Sequence, residues 1–62
     1  SFTTVKVNQI FELNEIKNTA EDMIGWVIED VANNRLDTVT ADTYINNLEE
    51  IVNRVQKINN NE

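Results

Sequence analysis

Residues 41–58 read ADTYINNLEEIVNRVQKI. Within them Ala41, Tyr44, Leu48, Ile51, Val55 and Ile58 recur at 3-4-3-4-3 spacing, and Ile45 and Val52 widen the row. Apolar residues at that period form one stripe along an α-helix, and such a stripe needs a second surface to cover it. Where that surface comes from decides the fold.

The first supplier lies upstream. Between Asn14 and Asn34, Ile16, Ala20, Met23, Val27 and Val31 form one helical row, with Ile24 and Ile28 in a neighbouring row. Asn33-Asn34 is a stop signal, because asparagine tolerates the left-handed backbone that ends helices. The expected order is therefore helix 1 over residues 14–34, a connection over 35–39 with Leu36 turned into the core, and helix 2 over 40–58. Thr40 is the preferred N-cap of helix 2, with Thr38 as the alternative. Val39 would then pack on Tyr44 as a hydrophobic staple. Asp42 stands near the positive helix end, and Glu50 and Arg54 form a favourable i,i+4 pair. Residues 59–62 read as a polar, frayed tail.

The N-terminal 13 residues read differently. Val5 and Val7 alternate with Thr4, Lys6 and Asn8, which is the pattern of a strand or an extended arm. Asn8 and Asn14 are both possible helix caps, so Ile10, Phe11 and Leu13 between them suit either a helical or an irregular start.

The expected fold is thus mainly α: one small domain, an antiparallel two-helix hairpin with a short N-terminal arm or strand. Sixty-two residues sit near the size at which a single core is barely sufficient. The apolar face of helix 1 is broader than a two-helix contact uses. Homodimerisation into a four-helix bundle is the simplest closed solution.

Composition narrows the function. The chain has no cysteine, histidine or proline and a single glycine, Gly25. It lacks a thiolate nucleophile, the usual general base, the commonest zinc ligand and any glycine-rich phosphate loop. No enzyme, cofactor or metal is expected. Five basic residues against eleven acidic ones give a net charge of -6, which opposes binding to nucleic acid and to anionic membranes. No signal peptide or membrane-spanning run is visible, and a cytoplasmic location is expected. Eleven asparagines beside many isoleucines fit the coding bias of an AT-rich genome, such as a low-GC bacterium or its phage.

Two groups of residues are candidate sites. On a helix, Glu21, Gly25 and Glu29 form one row and Asp22, Trp26 and Asp30 the next, so four carboxylates surround a bare backbone patch and a large aromatic. Glycine in a helix costs about 1 kcal/mol relative to alanine, and tryptophan is a frequent anchor of interfaces. This patch suits a basic surface on a partner protein. The alternative is structural: Trp26 packs in a self-interface and Gly25 permits a close crossing. Glu21 and Glu29 stand roughly 12 Å apart along the axis, too far to share one ion within one chain. The second group is Arg35, Arg54 and Lys57, which would form an anion pocket if an oligomer brought them together.

The order strand–helix–helix resembles that of ribbon-helix-helix repressors, which dimerise through an N-terminal strand. That resemblance implies DNA contact through Thr4, Lys6 and Asn8. It covers element order alone, and the net charge opposes it. The leading expectation is a small acidic interaction protein, itself a homodimer, that binds and modulates another protein as an inhibitor or regulator. An oligomeric sponge for an anionic small molecule such as a nucleotide is the second reading, and a DNA-binding dimer the third.

Overall fold

A computed structural model describes residues 2–60. They form two α-helices, α1 (Phe2–Ala32) and α2 (Thr38–Asn60), packed side by side as an antiparallel hairpin. Ser1 and the last two residues of the expected frayed tail lie outside the described residues. The other two, Asn59 and Asn60, belong to α2.

The N-terminal segment is neither an arm nor a strand. Residues 2–13 are helical and continue into the segment where a helix was expected to begin. The β-branched Thr3, Thr4, Val5 and Val7 favour a strand locally. A lone strand, however, leaves its N–H and C=O groups without a ladder partner, whereas a helix pairs its own backbone. No strand occurs among the described residues, so the strand-bearing arrangement of a ribbon-helix-helix protein is absent there.

One seam holds the hairpin. From α1, Leu13, Lys17, Ala20, Ile24, Val27 and Val31 are buried or half-buried; from α2, Ala41, Ile45, Leu48, Val52, Val55 and Asn59 are. Both rows follow 4-3-4-3-4 spacing, as interlocking helices require. Among the described residues only Ala20, Ala41, Leu48 and Val55 are buried, none of them completely. Tyr44, Ile51 and Ile58 do not join the seam as the stripe suggested. They lie beside it, 49%, 41% and 47% exposed.

The turn end is built from backbone hydrogen bonds. Asn34 takes the left-handed conformation with φ 59°. The N–H of Arg35 donates to the Asp30 carbonyl at 2.7 Å and that of Asn34 to the Val31 carbonyl at 3.1 Å. This crossed pair is a Schellman motif, which satisfies carbonyls that the ending helix leaves open. The apolar contact that often clasps this motif is replaced here by an ion pair, Arg35 Nε to Asp30 Oδ1 at 2.9 Å.

The N-cap of α2 is Asp37 rather than Thr40 or Thr38. Its Oδ2 accepts from the Thr40 N–H at 2.9 Å, and its carbonyl accepts from the Ala41 N–H at 3.0 Å. Aspartate caps better than threonine, and a carboxylate there also meets the positive helix end. The expected staple fails with the expected cap, since Val39 is 76% exposed. The staple positions around Asp37 are Leu36 and Ala41, which are half-buried and buried.

The open end is polar. Asn59 Nδ2 donates to Asn14 Oδ1 at 3.3 Å, and Lys17 occupies a seam position nearby. At 1.5 Å per residue α1 is about 46 Å long and α2 about 34 Å. With Asn14 level with Asn59, residues 2–10 project beyond the end of α2. The longest dimension of the hairpin is 50 Å.

Candidate partner-binding surface

Trp26 lies on the outward half of α1 and is 64% exposed, although it is the largest side chain in the chain. Its position follows from the seam: Ile24 and Val27 face α2, and Trp26 is displaced from both by about 100° or more of helical rotation. Beside it, a Cβ placed on Gly25 would meet nothing within 4 Å. No close crossing inside this chain therefore requires the glycine.

Asp22 and Glu29 are exposed on the same outward half of α1, one turn to either side of Trp26, and Glu21 is exposed on its flank beside Gly25. Asp30 is half-buried and turned to Arg35, so its charge is engaged at the turn. The surface around Trp26 thus carries two outward carboxylates and an open strip of backbone, with a third exposed carboxylate at its flank. Among the described residues no group of three or more carboxylates converges closely enough for a metal ion.

The three basic residues are dispersed along the hairpin. Arg35 is tied to Asp30 at the turn end. Arg54 pairs with Glu50 through Nη2 to Oε1 at 2.7 Å, four turns or more along α2. Lys57 lies in the last turn of α2. One chain does not bring them into a single pocket.

Two features escaped the sequence reading. One is the Asp37 cap, whose carboxyl is held below its ordinary pKa by the Thr40 hydroxyl and then by the Thr40 N–H. The other is a continuous apolar groove along one face of the hairpin. Ile16 and Met23 border it on α1, Tyr44 and Ile51 on α2, and Ala20 and Leu48 form its floor. The signal for it was present. Helix α2 carries the rows Tyr44-Ile51-Ile58 and Ile45-Val52-Asn59 on either side of Ala41-Leu48-Val55, and one neighbouring helix cannot cover both.

No helix among the described residues is long and apolar enough to cross a membrane. No protein-family model, curated protein or solved structure matches the chain.

Proposed function

We propose that this chain is a non-enzymatic interaction protein that presents the Trp26 surface of α1 to a basic patch on another protein. The observation that carries the reading is the 64% exposure of Trp26 beside the open backbone of Gly25. Leaving a large aromatic in water forgoes the burial that a seam position would give it, and a rigid aromatic is an efficient interface anchor. Glu21, Asp22 and Glu29 supply the opposite charge to a lysine- or arginine-bearing partner. Such charges steer association and make it sensitive to salt.

The protein acts as a homodimer in this reading, two hairpins completing a four-helix bundle. Four buried side chains among the described residues, two of them alanine, are a thin core for a chain of 62 residues. A second hairpin provides the missing cover without adding a new fold element. Binding and modulation of a target, as an inhibitor or regulator does, then falls to the surface that dimerisation leaves open.

The test begins with affinity capture and the purification of an identified partner. Titration calorimetry then compares the native chain with a variant carrying Trp26→Ala, Glu21→Lys and Glu29→Lys. All three positions are exposed, so the helix content should persist by circular dichroism. Affinity should fall at least tenfold and lose most of its salt dependence. Equal affinity in a folded variant overturns the assignment of this surface.

A further inference from the structure

We draw no further inference here: the strongest candidate, the apolar groove between Ile16 and Met23 of α1 and Tyr44 and Ile51 of α2, is an unpartnered face, and nothing in the structure shows what covers it.

Discussion

The two ends of this hairpin are held in different ways. At the turn, the Schellman hydrogen bonds, the Arg35–Asp30 ion pair and the Asp37 cap meet within eight residues, and each satisfies backbone or charge left over by its neighbours. At the open end, the seam passes through Lys17 and closes on Asn14–Asn59, where Asn59 Oδ1 is buried without a hydrogen-bond partner. Beyond it α1 projects alone, with Val5 and Phe11 exposed. The contrast shows a fold specified locally at one end and left incomplete at the other. The chain encodes its own reversal of direction thoroughly. It encodes its own cover poorly.

Breaking the seam between the two ends should have the largest effect. Leu48→Ala removes the largest of the four buried side chains, and such truncations cost about 2–5 kcal/mol. We expect it to abolish the cooperative thermal transition seen by circular dichroism. A stability change under about 1 kcal/mol would mean that the seam carries less than the turn. Next, Asn34→Val forces a β-branched residue into the left-handed region, a cost of about 1–2 kcal/mol. It should lower the melting temperature clearly, while Asn34→Gly should maintain or raise it.

The open end should respond in the opposite sense. Asn59→Leu extends the apolar row of α2 and removes the unpartnered oxygen, while the exposed Asn14 turns to water. A gain of about 1 kcal/mol is expected from the unsatisfied group alone. A loss would show that the Asn14–Asn59 contact fixes the register of the helices, as polar seam residues do in coiled coils.

The smallest expected effect is confined to acid. The Asp37 carboxyl has a lowered pKa in the folded state, so its contribution is fully present above the ordinary carboxylate value. It is lost as pH falls through the folded one, in the window below about pH 4. Asp37→Asn keeps a good cap without a titrating group. It should leave the neutral-pH melting temperature nearly unchanged and flatten that part of the acid-side decline. The same acid-side slope in both proteins would remove Asp37 as its source.

What could be read from the sequence follows the same division. The stop at Asn33-Asn34 and the helical period of α2 are local, and the structure has Asn34 in the conformation that residue type favours. The Asp37 cap was local too, but Thr40 and Thr38 offered the same hydroxyl chemistry and obscured it. The β-branched N-terminal segment reads as a strand or arm, whereas the structure has it helical, a form that pairs its own backbone and needs no second strand. Period alone could not decide between Tyr44-Ile51-Ile58 and Ile45-Val52-Asn59 as the seam, since both keep heptad spacing with Ala41, Leu48 and Val55. That choice depends on how the second helix is rotated. The candidate surface follows from it, because the rotation of α1 carries Trp26 outward.

The projecting part of α1 has a consequence for how the molecule responds to heat. Residues 2–10 are too few to form a stable helix in isolation, but here they extend one that is already nucleated. Each added turn therefore escapes the nucleation penalty and rests on a propagation equilibrium close to unity. Such an end shortens residue by residue as temperature rises, with no midpoint of its own. Helix content should decline in a shallow slope well before the hairpin melts, and that slope serves as a built-in gauge of the backbone's intrinsic preference, measured free of any core.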